Sequence, residues 1–258
     1  MLSAQAIADT LIAAERNRIG IGQFSDDHPD IDVATAYEAQ RAFVRSKIEA
    51  GDSFVGYKLG LTSRNKQQAM GLDAPLYGRV TSSMISSYGE PLRLDRFIHP
   101  RVESEIAFLL ARDIKPPATV VSVLAATEVI FGAVDVLDSR YESFKFTLPD
   151  VVSDNASAGA FYLGPIARRP GDLGDLRLLG CNVLVGGEVT MTATGAAVMG
   201  HPAASVAWLA NQLAVEGEFL KAGELVFSGG VTAPVPVVAG EVVTFQFAGL
   251  GSIEVVGA

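Results

Sequence analysis

Cysteine and histidine are scarce in this chain, and their scarcity limits the chemistry that it can support. Cys181 is the only cysteine, so an intramolecular disulfide cannot form and no cysteine-based zinc site can be built. His28, His99 and His201 are the only imidazoles, which leaves oxygen atoms as the main ligands for any metal. Oxygen ligands favour Mg²⁺ or Mn²⁺ over softer ions.

Positive charge and long hydrophobic runs are also lacking. The chain carries 20 Lys and Arg against 29 Asp and Glu, a formal net charge of -9, and this balance argues against nucleic acid as a partner. No stretch of about 18 apolar residues occurs, and the first residues lack a basic segment followed by an apolar one. We therefore expect no membrane association and a cytoplasmic location. No G-x-S-x-G motif or reactive-cysteine context supports a serine or cysteine nucleophile.

The chain is nevertheless rich in residues that build a core. Its 258 residues are 49% hydrophobic, enough for one large domain or two small ones. Apolar residues recur at helical spacing over residues 3–17, with Ser3 as a candidate N-cap, and over Val33–Glu49. We predict a helical N-terminal region that includes the first strand, residues 1–75, and a β-rich catalytic core, residues 76–258. A mean hydropathy of +0.30 indicates apolar surface hidden between subunits, so we expect a homo-oligomer.

Short apolar runs separated by glycine-rich turns dominate the second region. Helical spacing predicts helices at 120–126 and 203–215 there, and a short helix at 63–70 before it. Regular alternation of strand and helix is missing, which favours an α+β fold built on a mixed or antiparallel sheet. Gly249 and Gly251 predict a hairpin rather than a dinucleotide site, because no helix follows them. The predicted strands are 105–110, 130–137, 159–163, 181–185, 224–227 and 242–247.

Glu103 and Glu105 lie two residues apart in the strand-like run R-V-E-S-E-I-A-F-L-L. Side chains two apart in a strand project from one face, about 6.6 Å apart at their bases. Asp135 alternates with valines in a second strand, A-V-D-V-L. Buried carboxylates without a partner are costly, so the three acids indicate a divalent metal, another catalytic role, or a strand face exposed to solvent.

Other polar residues stand out against apolar surroundings. Lys58 is a lone cation in the strand V-G-Y-K-L-G, where it would bind a substrate carboxylate or, alternatively, extend its ammonium group to the surface. The segment from Asp154 to Ser157 reads D-N-A-S, which can supply acid, amide and hydroxyl groups but is also an ordinary turn or helix cap. The residues alone leave both alternatives open.

Six segments of the sequence carry a family pattern when taken together: V-G-Y-K-L-G-L-T-S, I-H-P-R-V-E-S-E-I-A-F, D-S-R-Y-E-S-F-K-F, S-D-N-A-S, G-A-A-V-M-G-H-P and G-L-G-S. They resemble one family, the 2-hydroxypenta-2,4-dienoate hydratases and 4-oxalocrotonate decarboxylases, which is related to the fumarylacetoacetate hydrolase C-terminal domain. The resemblance runs in order from about residue 33 to the C-terminus. It implies a mixed β-sheet roll with a small helical N-terminal region.

The resemblance also implies roles for individual residues. A Mg²⁺ or Mn²⁺ ion would be held by Glu103, Glu105 and Asp135. The third ligand is usually Glu in the family, so Asp135 is one methylene shorter than the family pattern.

Five further positions correspond to the family's active-site pocket. Lys58, Asp154 and Ser157 are the expected catalytic residues. Lys58, Leu76, Tyr77 and Ser157 are the expected substrate-binding residues.

The resemblance favours the decarboxylase branch of the family. The hydratase branch tends to read P-D-F-G where this chain has P-L-Y-G, so an acid suited to water addition is replaced by Leu76. We expect decarboxylation of the 2-oxo acid 2-oxohex-3-enedioate to 2-hydroxypenta-2,4-dienoate in aromatic catechol meta-cleavage. Hydration of 2-hydroxypenta-2,4-dienoate, hydrolysis of acylpyruvates and a non-catalytic partner subunit are the alternatives. A complex with the pathway hydratase is also expected.

Overall fold

The computed structural model describes residues 2–63, 67–68 and 74–258. The predicted helix at 63–70 falls largely outside these residues. None of the helices in the described segments is both long and apolar enough to cross a bilayer. The helices are α1 Ala4–Asn17, α2 Phe24–Asp27, α3 Val33–Glu49, α4 Val120–Ala126, α5 Leu148–Ser153 and α6 Pro202–Val215.

The strands form a larger and a smaller sheet. Most of them coincide with the apolar runs of the sequence, although several extend further than the runs do. The strands are β1 Phe54–Gly60, β2 Leu76–Thr81, β3 Ile85–Ser86, β4 Arg101–Leu110, β5 Thr127–Leu137, β6 Ala158–Arg168, β7 Gly180–Val185, β8 Glu188–Thr194, β9 Leu225–Phe227, β10 Val235–Pro236, β11 Val242–Phe247 and β12 Gly251–Val256.

Within the described chain, the larger sheet contains eight strands in the order β2-β1-β9-β4-β5-β6-β3, with β10 paired to β4. Most neighbours are antiparallel, but β1 pairs with β9 and β3 pairs with β6 in parallel. Apolar side chains of β2, β4, β5, β6 and β9 meet in one buried cluster against this sheet. The predicted mixed β-sheet of an α+β fold is confirmed.

The smaller sheet has the order β12-β11-β7-β8 and packs against β5 and β6. Phe247 of β11 lies so close to β5 that a Cβ atom on Gly132 would be 2.5 Å from the Phe247 ring. β11 and β12 form the hairpin predicted from Gly249 and Gly251. The main hydrophobic core therefore lies between the two sheets and helices α4 and α6.

The N-terminal helices form a separate apolar cluster around Leu11 and Phe43. Ser3 caps α1 as predicted, because its hydroxyl accepts a hydrogen bond from the Ala6 amide at 3.2 Å. β1 follows these helices in sequence but pairs with β9 near the other end of the chain. The division of the chain at residue 75 stays a prediction.

Two strands of this fold carry weak sequence signals. β2 reads L-Y-G-R-V-T, where Gly78 and Arg79 interrupt the apolar pattern. Gly78 is needed there because a Cβ atom would lie 2.6 Å from the Asn155 carbonyl oxygen. β8 is an edge strand in which Val189, Met191 and Ala193 alternate with threonines, but none of the three is fully buried, so its apolar face is weak.

The parallel pairing of β1 with β9 depends on Gly56. Its φ is +154°, and a Cβ atom would lie 1.8 Å from the Leu225 carbonyl oxygen. We expect Gly56→Ala to lower the free energy of unfolding by about 3 kcal/mol, because the added methyl forces the two backbones apart. Urea denaturation would measure this loss. Gly171→Ala is the matched control, since no atom lies within 4 Å of its added Cβ, and equal losses in both variants would contradict the prediction.

Candidate metal centre and active site

The antiparallel pairing of β4 with β5 brings the three predicted acids together. Glu103 pairs directly with Asp135, and Glu105 projects from the same face of β4 as Glu103 because the two are two residues apart. All three side chains are buried. Each offers an oxygen atom that lies within 4.8 Å of the other two. Burial excludes the interpretation that these acids line a solvated strand face.

Lys58 of β1 belongs to the same cluster. Its ammonium nitrogen lies 2.6 Å from Asp135 Oδ2 and donates to the Ala156 carbonyl oxygen at 2.8 Å. Its side chain is 1% exposed, which excludes a lysine that reaches the surface. Among the residues that the structure describes, the Lys58 ammonium therefore faces a group of three buried carboxylates.

The environment of Glu105 indicates that the three carboxylates can bind a further cation. Burial raises the pKa of Glu105 well above its usual value, and the nearby Asp135 and Glu103 carboxylates raise it further, while Lys58 lowers it. The Gly229 amide donates to Glu105 Oε2 at 2.9 Å. Glu105 Oε1 is buried and has no hydrogen-bond partner in the described part of the chain.

An orphaned buried oxygen is rare in folded proteins and points to an absent ligand. Three carboxylates whose oxygens converge form a hard, anionic donor set, and such sets bind Mg²⁺ or Mn²⁺ while leaving positions for water or substrate. The residues present therefore fit a divalent ion. Glu103, Glu105 and Asp135 are the side chains that would hold it.

The segment that follows α5 holds Lys58 from the other side. Asn155, Ala156 and Ser157 all have left-handed backbone conformations, with φ of 51°, 56° and 54°. The Asn155 side chain secures this arrangement, because its Oδ1 accepts from the Arg79 amide at 2.7 Å and its Nδ2 donates to the Arg79 carbonyl at 2.8 Å. The strained segment presents the Ala156 carbonyl to Lys58, and sequence reasoning missed the positioning role of Asn155.

Asp154 is buried and paired with a cation. The Arg140 Nε contacts Asp154 Oδ1, and the Ser157 hydroxyl donates to Asp154 Oδ2 at 3.2 Å. Burial raises the pKa of Asp154 to about 6, although the Arg140 guanidinium opposes this shift. Asp154 is thus linked to the candidate site through Ser157. The D-S-R sequence after β5 contains Arg140, but nothing in its pattern indicated which acid it would pair with.

Leu76 and Tyr77 project from opposite faces of β2. Leu76 is buried in an apolar cluster with Ala156, whose carbonyl binds Lys58. The Tyr77 ring instead stacks on Tyr37 with centroids 4.5 Å apart, and its hydroxyl donates to Glu216 Oε1 at 3.0 Å. The structure therefore brings Leu76 near the segment that binds Lys58. It directs the Tyr77 side chain toward Glu216 and away from the cluster of three acids.

A cavity of about 1000 Å³ reaches the segment that binds Glu105, although none of the three acids lines it. Thr62 and Gly230 line it, next to Gly229, whose amide binds Glu105. Gly229 has a φ of +100°, and a Cβ atom there would lie 2.2 Å from the Thr62 hydroxyl. The cavity has the volume of a typical small-molecule site.

Comparisons with known proteins agree with this geometry. The chain is 41% identical over 250 residues to a 4-oxalocrotonate decarboxylase from Pseudomonas sp. (strain CF600), covering 96% of this chain and 94% of the relative. It is 36% identical over 255 residues to a 2-oxo-hept-4-ene-1,7-dioate hydratase from Escherichia coli, covering 96% and 95%.

A solved structure is similar over almost the whole chain. It is the 4-oxalocrotonate decarboxylase from Pseudomonas putida G7 complexed with magnesium and adipate, with a TM-score of 0.95, 38% identity, and coverage of 99% of this chain and 97% of that one. The family model described as fumarylacetoacetate (FAA) hydrolase C-terminal matches residues 36–256. The predicted family is thereby confirmed, and the chain belongs to the fumarylacetoacetate hydrolase C-terminal family.

Proposed function

We propose that this protein decarboxylates 2-oxohex-3-enedioate to 2-hydroxypenta-2,4-dienoate in aromatic catechol meta-cleavage, with Mg²⁺ or Mn²⁺ as cofactor. The similarity to 4-oxalocrotonate decarboxylases supports this reaction. The observation that carries the choice of branch is Leu76, a buried apolar side chain at the position where the hydratase branch tends to have an acid. Without an acid there, this position has no group to transfer a proton during water addition.

Glu103, Glu105 and Asp135 would hold the ion. When bound, the ion supplies a Lewis acid that stabilises negative charge developing on the 2-oxo oxygen as CO₂ leaves. The distal carboxylate of the substrate leaves as CO₂, its bonding electrons move through the carbon–carbon double bond toward that oxygen, and the resulting dienolate takes one proton from water to give 2-hydroxypenta-2,4-dienoate. The reaction needs no covalent bond between protein and substrate.

Lys58 contributes a fixed positive charge. Its hydrogen bond to the Ala156 carbonyl and its contact with Asp135 hold the ammonium in one orientation. A preorganised cation in a buried site stabilises developing negative charge more strongly than one in water. We therefore assign Lys58 to binding the anionic head of the substrate and to stabilising the dienolate.

Ser157 and Asp154 complete the proposed set. The Ser157 hydroxyl donates to Asp154, so its oxygen is oriented and can still accept a hydrogen bond. In this proposal Ser157 lines the substrate pocket, and Asp154 acts through it by fixing the direction of its proton. In this proposal Leu76 contacts the carbon chain of the substrate. Tyr77 contributes to substrate binding through its backbone rather than its side chain.

Two assays distinguish decarboxylation from hydration. The Mg²⁺-loaded protein is supplied with 2-oxohex-3-enedioate, and CO₂ release and ultraviolet absorbance are followed. In a parallel reaction it is supplied with 2-hydroxypenta-2,4-dienoate, and formation of 4-hydroxy-2-oxopentanoate is measured. We expect turnover in the first assay only. Turnover in the second assay alone would establish the hydratase, which the similarity to a hydratase also favours.

The remaining alternatives give different results in the same assays. A non-catalytic partner subunit would show no turnover alone and would raise the activity of an added hydratase. A homo-oligomeric state, a complex with the pathway hydratase and a cytoplasmic location belong to this proposal as predictions. Light scattering of the purified protein, with and without the hydratase, would test the first two.

A further inference from the structure

Arg101 begins β4 and lies two residues before Glu103. Residues two apart in a strand share a face, so Arg101 projects from the same face as the proposed metal ligands, about 6.6 Å further along the strand. Its partner on β5 is Leu137, two residues beyond Asp135. Arg101 is therefore the next residue outward from the carboxylate cluster along this face.

Arg101 has no carboxylate partner in the described part of the chain: none lies within 4.0 Å of its guanidinium. This is unusual for a partly buried arginine in a chain with a net charge of -9. Its guanidinium carbon instead lies 4.1 Å from the centroid of the Phe144 ring. A guanidinium stacked on a ring keeps the N–H groups along its edge available for a carboxylate.

Phe144 is held under this guanidinium by an unfavourable backbone. Ser143 and Phe144 have φ of 56° and 55°, and left-handed conformations are costly for residues with a Cβ atom. The His99 ring packs against Phe144 with centroids 4.7 Å apart. Strain that persists at a bulky residue is commonly found at sites of ligand binding. The strained residue here, Phe144, provides the ring on which the Arg101 guanidinium stacks.

We infer that Arg101 is the subsite for the distal carboxylate of a dicarboxylate 2-oxo acid. This inference rests on the proposed function, because it assumes that the 2-oxo acid head binds at the three acids. A six-carbon dicarboxylate has four carbon atoms between its carboxylates, so it can extend along this face from the three acids toward the next residue outward, Arg101. A guanidinium also favours the ionised form of the distal carboxylate, which is the form that loses CO₂.

The subsite predicts discrimination between two ligands that differ only at the distal end. 2-Oxoadipate has the distal carboxylate and 2-oxohexanoate has a methyl group in its place. We expect the Mg²⁺-loaded protein to bind 2-oxoadipate about 10- to 100-fold more tightly, because a charge-assisted bidentate contact is gained. In Arg101→Gln the ratio of the affinity for 2-oxoadipate to the affinity for 2-oxohexanoate should fall close to one. The affinity for 2-oxohexanoate itself should stay within about twofold of its original value. Isothermal titration calorimetry measures both affinities.

Arg168→Gln is the matched control. Arg168 is exposed and pairs with Ile130 at the opposite end of the β5–β6 ladder from Asp135, so its removal changes the net charge equally and should preserve the ratio. Arg101→Lys keeps the charge but loses the planar fork, and its ratio should lie between those of the original protein and Arg101→Gln. This variant also serves if Arg101→Gln does not fold.

An unchanged ratio in Arg101→Gln and Arg101→Lys would overturn the subsite, as would an equal loss of affinity for both ligands. Failure of the proposed function is distinguishable from this result. If the protein discriminates between the two ligands but does not release CO₂ from 2-oxohex-3-enedioate, the subsite is supported and the proposed reaction is refuted.

Discussion

Replacing Glu105 by Gln is expected to reduce metal-dependent turnover of 2-oxohex-3-enedioate about 1000-fold. The substitution keeps the size of the side chain but replaces a carboxylate oxygen by an amide group, and Glu105 Oε1 is the buried oxygen with no partner in the described chain. A metal that stabilises developing charge contributes several kcal/mol, and each 1.36 kcal/mol corresponds to tenfold in rate. Steady-state kinetics across a Mg²⁺ titration would measure the loss.

Glu128→Gln is the control for this variant, because Glu128 is an exposed acid on β5 and its replacement changes the net charge by the same amount. Titration calorimetry with Mg²⁺ alone should show weaker binding in Glu105→Gln and unchanged binding in Glu128→Gln. If the protein remains fully active after treatment with EDTA, the metal has no part in the reaction and the proposed role of all three acids is refuted.

Replacing Lys58 by Met is expected to lower both activity and stability. We expect kcat to fall about 100- to 1000-fold, the range found when one preorganised electrostatic contact is removed. Breaking a buried ion pair costs about 3–5 kcal/mol of unfolding free energy, because the three carboxylates lose the ammonium that contacts Asp135. Kinetics and urea denaturation in EDTA would measure the two effects.

Added Mg²⁺ distinguishes a direct role of Lys58 in the reaction from a loss of activity caused by lower stability. A divalent ion that binds the folded state stabilises it by mass action, so it should restore much of the unfolding free energy of Lys58→Met. It should not restore kcat, because the ammonium is still missing. Lys115→Met, which removes an exposed lysine whose ammonium lies 5.0 Å from the Phe219 ring centroid, should leave kcat unchanged and lower the unfolding free energy by no more than about 1 kcal/mol. Recovery of kcat with Mg²⁺ would contradict the role assigned to Lys58.

The sequence predicted elements best where one periodicity is uninterrupted. The helices over Val33–Glu49 and Val120–Ala126 and the strand over Val242–Phe247 are confirmed with these bounds. β2 was missed because glycine and arginine interrupt its pattern, and the close approach of Asn155 that requires the glycine is a tertiary contact. Local spacing carries no information about such contacts.

The same limit applies to the candidate site. The spacing of Glu103 and Glu105 placed both acids on one face of β4, but their meeting with Asp135 depends on the register between β4 and β5. The ion pair of Arg140 with Asp154 joins residues on either side of a helix, so it was not predicted. The family resemblance assigned both Leu76 and Tyr77 to substrate binding, although the side chains of adjacent strand residues face opposite ways.

The position of β9 has a consequence for how the site is assembled during synthesis. This three-residue strand lies between β1, which carries Lys58, and β4, which carries two of the acids. Until residues 225–227 have left the ribosome, these two strands have no strand to bridge them. A chain that lacks β9 has no strand to join β1 to β4 in the sheet, so we expect the lysine and the acids to be brought together only once β9 has paired with both strands.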